Sequence, residues 1–295
     1  MDTRTSKFPL LLDSFWLKII ALLTMTLDHI GHTFYITPLQ YIGRIAMPLF
    51  CFLIAEGVLH TKSFKKYALR LGIMASFISL VVLLSDVIPY FEDNGYSMRR
   101  EGVIFIDLLL GALAVYLLRQ DKWYIKALAV LPFAYGVASY FASSIECVGC
   151  GIKIHWFPFF LRTQYGWFGI TLIIGFYLAH LFASAFFKNR STLTGIDPET
   201  YKDTYIERLA LNLISILILI VLSTINYFGG YLMTMNYGTT VLYYVQVYSV
   251  IAGAFILLYN GKRGYNGKWF QYGSYLYYPL HLLVIGIIEF IVYSI

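Results

Sequence analysis

An aspartate and two histidines lie within five positions of an otherwise apolar stretch near the N-terminus, LTMTLDHIGHTFY (23–35). A histidine near a carboxylate suits general base catalysis, because its ordinary pKa of about 6.5 lets it take a proton from an amine or hydroxyl and return it. In a helix, Asp28 and His32 share a face because they are four residues apart, whereas Asp28 and His29 point about 100° apart. The alternative is that these groups only satisfy polar neighbours and hold helices together.

Lys18 precedes His29 by eleven residues, which in a helix is close to three full turns. The two side chains would therefore share a face and lie about 16.5 Å apart along the axis. They cannot contact each other at that distance, but they could contact the two ends of one long ligand. The spacing predicts an anchoring charge at Lys18 and a reactive group at His29.

The elements that position these side chains are predicted to be membrane helices. Of the 295 residues, 59% are hydrophobic and only 13% are charged, and the mean hydropathy is +0.68. Soluble domains of this size rarely have such a composition, so the chain is expected to be a polytopic membrane protein. The net charge of +6 needs no nucleic-acid partner, since Lys and Arg mark cytoplasmic loops. No repeat or soluble appendage interrupts the pattern, so residues 1–295 are predicted to form a single domain.

The fold class predicted is all-α, a transmembrane helix bundle with about nine spans. Each span needs about 20 apolar helical residues to cross the bilayer. The predicted spans lie near 14–35, 42–60, 66–88, 103–119, 123–143, 167–187, 208–228, 240–259 and 270–293. With the N-terminus in the cytoplasm, most of the 22 Lys and Arg fall in inner segments or at inner helix ends. The prediction is therefore a cytoplasmic N-terminus and an outer C-terminus.

Ionisable residues within the predicted spans are costly and usually face a cavity or a partner. Besides the residues near the N-terminus, the candidates for lining a cavity are Arg44, Glu56, Asp107 and His281. Pro279 precedes His281 by two residues and can kink the helix, which would turn the imidazole toward a cavity. A packing histidine beside a kink is the alternative. His180 is expected to be structural.

Two cysteines, Cys147 and Cys150, lie in a predicted outer loop that contains the sequence CVGC. Such a pair can be a redox motif, half of a zinc site or a tight disulfide. Zinc is disfavoured because no second pair accompanies it, so no metal is predicted. On an exported face a disulfide is favoured over free thiols. Cys51 lies in an apolar span and is expected to serve packing.

Several segments together resemble one family of membrane enzymes. They are LKIIALLTMTLDHIGH (17–32), YIGRIAMPLFCFLIAEGVLHTKSFKKYALRLG (41–72), EGVIFIDLLLGALAVYLL (101–118), YGWFGITLII (165–174) and YLYYPLHLLVI (275–285). The combination is similar to the TraX family of membrane acetyltransferases, which is known for acetylating the N-terminus of conjugative pilin. The spacing of Lys18 and His29 is also similar to the Arg-x10-His signature of another group of membrane acyltransferases.

The resemblance implies a multi-pass protein of the bacterial cytoplasmic membrane that moves an acetyl group from cytosolic acetyl-CoA to an acceptor at the outer face. It implies His29 as the catalytic centre with Asp28 beside it, and Arg44, Glu56 and His281 around the cavity. Two positions depart from the family pattern. Gln164 stands where members often have an acidic residue, and Asp107 where an uncharged polar one is expected. The acceptor class therefore stays open between a peptide N-terminus and an envelope glycan.

Basic residues near the inner helix ends are candidates for binding the phosphates of the donor. Lys18 is the first, and the cluster Lys62, Lys65, Lys66 and Arg70 is the second. Positive-inside bias alone also explains that cluster. His29 could act directly as the base or could itself be acetylated. The rival prediction is a proton-coupled transporter that uses the intramembrane His and Asp as a relay, although no inverted repeat is found.

Overall fold

A computed structural model describes residues 9–87, 102–145, 154, 156–195, 204–237 and 243–294. The predicted all-α class is confirmed for these ranges. They form helices α1 (Ser14–Thr33), α2 (Thr37–Gly43), α3 (Ala46–His60), α4 (Phe64–Val87), α5 (Ile104–Leu118), α6 (Trp123–Ala127), α7 (Val130–Ile145), α8 (Trp167–Thr194), α9 (Tyr205–Tyr237), α10 (Tyr243–Gln246), α11 (Ala252–Leu257) and α12 (Lys268–Ser294). Extended pairing in the described chain is limited to one parallel bridge between Leu12 and Tyr259.

Six helical segments within the described ranges are long and apolar enough to cross a membrane. They are Thr37–His60, Phe64–Leu84, Trp123–Ile145, Phe159–Leu193, Tyr205–Leu232 and Lys268–Val292. Each coincides with one of the nine predicted spans. The number of nine and the orientation of the termini stay predictions.

The other three predicted spans are helical but differ from a simple apolar span. Helix α1 has 20 residues and carries the polar side chains of the candidate site. Helix α5 has 15 residues, which is about 22 Å of helix against the roughly 30 Å of a hydrocarbon core. The predicted single helix at 240–259 is instead divided into α10, a 3₁₀ segment at Val247–Ile251 and α11.

Helix α1 lies inside the bundle and packs against α2, α3 and α12. Its start is fixed by Asp13, whose carboxylate accepts a hydrogen bond of 3.0 Å from the amide of Trp16. Leu17, Ala21 and Met25 are buried along one face. The polar residues of α1 are therefore carried on a helix that is anchored by its apolar side.

The segment before α1 is fastened to the chain between α11 and α12. The amide of Leu12 donates to the carbonyl of Leu258 (2.9 Å), and the amide of Asn260 donates to the carbonyl of Leu12 (2.8 Å). The hydroxyls of Ser14 and Tyr259 are also hydrogen-bonded at 2.8 Å. These bonds hold the first turns of α1 beside the segment that leads into α12.

Helices α1 and α2 approach so closely that glycine is required at their contact. A Cβ atom at Gly43 would overlap the Cβ and Oδ1 atoms of Asp28 and come within 2.6 Å of its Cα. The amide of Gln40 lies against Gly31 in the same contact, and its side chain donates to the Gly31 carbonyl at 2.9 Å. The lack of a side chain at Gly43 thus allows Asp28 to lie against the start of α3.

We predict that Gly43→Ala lowers the stability of the protein by about 1–3 kcal/mol, the usual cost of overpacking a tight contact. The thermal unfolding midpoint in detergent measures this. Gly286→Ala in α12 is the matched control, because a Cβ there meets nothing within 4 Å. Equal midpoints for the two variants would contradict the close α1–α2 contact.

Candidate functional site

His29 and His281 come together from α1 and α12, and we call them the histidine pair. Their ring centroids are 5.1 Å apart with planes tilted by 51°. The ring of Tyr278 stands edge-on to His29 at 6.4 Å and to His281 at 5.5 Å. In the described part of the chain no hydrogen bond ties the His29 imidazole to another side chain, so its ring nitrogens are available to a substrate.

The second histidine has a defined hydrogen-bonding state. Nδ1 of His281 lies 2.9 Å from the carbonyl oxygen of Tyr277. Because a carbonyl only accepts, this tautomer is assigned with the proton on Nδ1, which leaves Nε2 as an acceptor. Nε2 is buried and has no hydrogen-bond partner among the described residues. A group that enters beside His29 can therefore donate a hydrogen bond to His281.

Arg44 joins Asp28 and His32, the two residues that the sequence predicted on one face of α1. Its Nη2 donates to both carboxylate oxygens of Asp28, at 2.6 and 2.8 Å, and lies 2.8 Å from Nε2 of His32. Nη1 reaches the side-chain oxygen of Gln246 at 3.5 Å. The Asp28 carboxylate is thus held by Arg44, and no hydrogen bond between Asp28 and His29 occurs in the described ranges.

A small cavity lies where these groups meet. Its volume is about 20 Å³, which is room for about one water molecule. Residues on its wall include Met25, Asp28, His29, Gln164, Tyr165 and Tyr278. The cavity therefore has no room for an acceptor larger than water unless its wall moves.

Asp107 lies behind the wall of this cavity. It is 1% exposed, and its carboxylate accepts hydrogen bonds from the backbone amides of Gln164 (2.7 Å) and Tyr165 (3.2 Å). The sequence suggested Asp107 as a cavity residue. Its observed role is to fix the loop before α8, whose residues Gln164 and Tyr165 form part of the wall.

Glu56 lies away from the cavity, ten residues or about 15 Å further along α3 than Ala46 at the cavity wall. Its Oε1 is 3.0 Å from Nη1 of Arg208 on α9 and 3.0 Å from Nε2 of His180 on α8. Nδ1 of His60 is 3.6 Å from the other carboxylate oxygen. The position predicted for Glu56 beside His29 is thus corrected to an ion-pair network that joins α3, α8 and α9.

Lys18 lies at the opposite end of α1 from His29, with its ammonium group 5.3 Å from the ring centroid of Phe270 on α12. Arg70 and Arg263 act on its charge electrostatically, and we call these three cations the basic set. The Nε atom of Arg70 is buried and has no hydrogen-bond partner in the described ranges. The sequence did not single out Arg263.

The predicted basic cluster at the start of α4, with Lys62 just before the helix, does not act as one unit. Lys62, Lys65 and Lys66 are exposed, whereas Arg70 is half-buried and belongs to the basic set.

Cys147 and Cys150 lie outside the described residues. Cys51 is buried, with its sulfur 3.7 Å from the Met47 sulfur. The residues described include no group of three or more His, Cys, Asp or Glu side chains that could hold a metal ion.

These features define an all-helical membrane protein with a polar site enclosed by its helices. A family profile described as TraX protein matches residues 14–194, which include α1 to α8. The chain belongs to the TraX family. It is also 29% identical over 136 residues to the "Probable fimbrial assembly protein FimC, serogroup H1" of Dichelobacter nodosus. That match covers 43% of this chain and 54% of the relative, so the chain spans about half the length of the curated relative. No solved structure matches the chain.

We predict that Glu56→Ala destabilises the protein by about 3–5 kcal/mol, because Arg208 is left as an uncompensated, largely buried charge. Unfolding in increasing denaturant measures the change. A double variant Glu56→Ala with Arg208→Ala should be less destabilised than the sum of the single variants. Asp121→Ala serves as control, since that acidic side chain is exposed. If the destabilisation of the double variant equals the sum of the two single variants, the ion pair between Glu56 and Arg208 is contradicted.

We predict that Asp107→Ala leaves two buried amides unpaired and costs about 1–3 kcal/mol for each. Asp107→Asn should cost less because it keeps one carbonyl oxygen. Thermal unfolding ranks the variants, with Asp121→Ala at an exposed position as control. If Asp107→Asn lowers the thermal unfolding midpoint as much as Asp107→Ala does, the stabilising role of these two hydrogen bonds is contradicted.

Proposed function

We propose that this protein transfers an acetyl group from acetyl-CoA to an amine or hydroxyl of an acceptor. The single observation that carries the proposal is the contact of His29, which lines the small cavity, with His281 of α12, with ring nitrogens of His29 available to a substrate. Membership of the TraX family supports the same chemistry. His29 on α1 lies within the matched part of the chain, whereas His281 on α12 lies outside it.

In the proposed reaction His29 removes the proton from the acceptor as its nitrogen or oxygen attacks the thioester carbonyl carbon. The new C–N or C–O bond forms, the C–S bond breaks, and the proton on His29 passes to the departing CoA sulfur. Nε2 of His281 accepts a hydrogen bond from the acceptor and orients it. A tyrosine hydroxyl on the cavity wall, such as that of Tyr165 or Tyr278, would donate a hydrogen bond to the carbonyl oxygen as negative charge develops on it. The two-step alternative has the acetyl group pass first to His29.

The donor would enter from the cytoplasm, with the protein in the bacterial cytoplasmic membrane. Its phosphates would meet the basic set, in which three positive charges converge at the inner end predicted for α1. Lys62, Lys65 and Lys66 are exposed nearby in sequence and would add a general attraction for the anionic donor. Because Lys18 and His29 lie three turns apart on one face, a donor anchored at Lys18 would extend toward the histidine pair.

The acceptor class proposed first is a peptide N-terminus on a pilin-like subunit. The support is the name of the relative from Dichelobacter nodosus, which is a fimbrial assembly protein. An envelope glycan hydroxyl is the second candidate, because a histidine base serves either nucleophile. Acceptor-dependent release of CoA from a panel of short peptides and oligosaccharides would separate them.

The first test is acetyl-CoA binding and acceptor-dependent CoA release by the purified protein in detergent. We predict that His29→Ala keeps donor binding but loses at least about a hundredfold in turnover, the contribution of a general base. Lys18→Ala should weaken donor binding by about tenfold or more, because it removes one of three phosphate partners. His60→Ala and Lys126→Ala, the latter at an exposed lysine outside the basic set, are the controls of matched residue type and should change neither quantity.

Two results would overturn the proposal. If the unaltered protein does not bind acetyl-CoA, acetyl-CoA is not the donor. If a folded His29→Ala variant keeps full turnover, His29 is not the base. Solute uptake into proteoliposomes that depends on a pH gradient, without acetyl-CoA, would then favour the transporter.

A further inference from the structure

A groove lies between α1 and α12 on the Lys18 side of the histidine pair. Its volume is about 290 Å³, close to the lower limit of small-molecule sites. Leu22 and Leu23 of α1 and Phe270, Gly273 and Tyr277 of α12 form most of its wall. The groove is mainly apolar and does not include the cavity beside His29.

Three contacts between α1 and α12 show that the two helices run in the same direction along this groove. Lys18 lies over Phe270 at one end, and His29 contacts His281 at the other. Each helix thus advances eleven residues between the two contacts, so the ends remain in register. The polar ends are about 16.5 Å apart along the axis.

The third contact closes the groove before the histidine pair. The hydroxyls of Thr26 and Tyr277 are hydrogen-bonded at 2.7 Å. Because Thr26 donates to the carbonyl of Leu22, at 3.0 Å, the Tyr277 hydroxyl is the donor to Thr26. The ring of Tyr277 is also stacked on His281, with centroids 5.3 Å apart. The far end of the groove is therefore one aromatic ring away from the histidine pair.

We propose that this groove binds the pantetheine arm of the acyl donor, with the donor phosphates at the basic set and the thioester end at the Thr26–Tyr277 hydrogen bond. The inference rests on the proposed function and adds the route by which the donor reaches the histidine pair. The arm is a long, narrow and uncharged chain between a polyanionic head and a reactive end. The groove has the same order of features, with cations at one end, an apolar length and the histidine pair beyond.

Charge and continuity favour this occupant over a lipid chain. Three cations at one end complement the several negative charges of the donor head. A lipid tail in the groove would not need the histidine pair near its end, whereas the proposed donor must bring its acetyl group to that pair. The hydroxyls of Ser274 and Tyr277, which donate to the Phe270 carbonyl and to Thr26, can still accept hydrogen bonds from the amide groups of the arm.

Gly273 allows a selective test because it lies on the groove wall and a Cβ atom added there meets no neighbouring atom. A Cβ at Gly273 meets nothing within 4 Å, and the same holds for Gly286, which lies on the same helix but not on the groove wall. We therefore compare Gly273→Leu with Gly286→Leu in the full-length protein. The probes are acetyl-CoA, S-acetylpantetheine and adenosine 3′,5′-bisphosphate, which carries phosphates but no arm.

We predict that Gly273→Leu weakens acetyl-CoA binding by about tenfold or more and abolishes competition by S-acetylpantetheine. Its affinity for adenosine 3′,5′-bisphosphate should stay within about twofold, because the basic set is unchanged. Gly286→Leu should bind all three probes as the unaltered protein does. This pattern supports the groove as the site of the arm.

The outcomes separate this inference from the proposed function. If the unaltered protein binds acetyl-CoA and Gly273→Leu binds it equally well, the groove is not the donor route, and the acetyltransferase proposal stands. If the unaltered protein does not bind acetyl-CoA, both proposals fail. If Gly273→Leu loses a co-purifying phospholipid in native mass spectrometry while donor binding is unchanged, the groove is a lipid site and the inference is overturned.

Discussion

The pairing of Asp28 with Arg44 is the interaction on which the candidate site depends. A lone carboxylate within an apolar bundle is strongly unfavourable, and a guanidinium that binds both of its oxygens compensates much of that cost. The pair requires the chain to reverse direction after α1 and return α2 along it. Gly43 permits the approach because it has no side chain at the contact. The carboxylate of Asp28 on α1 thus constrains how α2 packs against that helix.

Since Arg44 engages Asp28 and His32, His29 is left as the titratable group of α1 that faces the cavity without a hydrogen-bonded side chain in the described structure. The polar residues of α1 therefore divide into two roles. Asp28 and His32 hold the helix against the start of α3, and His29 contacts α12. Under the proposed function, the same division separates the contacts that stabilise α1 from the side chain that serves as base, so we expect a His29 variant to lose activity and keep the contacts that fix α1.

Local spacing in the sequence predicted the contacts within α1 but not the partners across helices. The four-residue spacing of Asp28 and His32 correctly placed them together, because helix geometry alone determines it. The link between Glu56 and Arg208 joins residues 152 apart, and no periodicity within α3 or α9 contains that information. For the same reason Glu56 was expected near His29. Its apolar surroundings indicated a buried charge, but not which partner would neutralise it.

A different physical factor limits how well the sequence predicts the number of spans. Hydropathy detects long uniform helices well, and six of the predicted spans are of this kind. It cannot distinguish a spanning helix from a short helix that is shielded by its neighbours, as α5 and α11 are. Helix α5 is buried on much of its surface, so its apolar composition reflects contact with other helices as well as lipid.

The two positions that depart from the family pattern, Asp107 and Gln164, contact each other in the structure. The Asp107 carboxyl group accepts a hydrogen bond from the backbone amide of Gln164, so the acidic side chain lies behind the cavity wall while a neutral amide side chain lies on it. A carboxylate on the wall would attract a protonated amine. With Gln164 there, and with Asp28 already neutralised by Arg44, the electrostatic preference for a cationic acceptor is reduced. Under the proposed function, this arrangement favours an acceptor that arrives as a neutral amine or a hydroxyl over one that arrives as a cation.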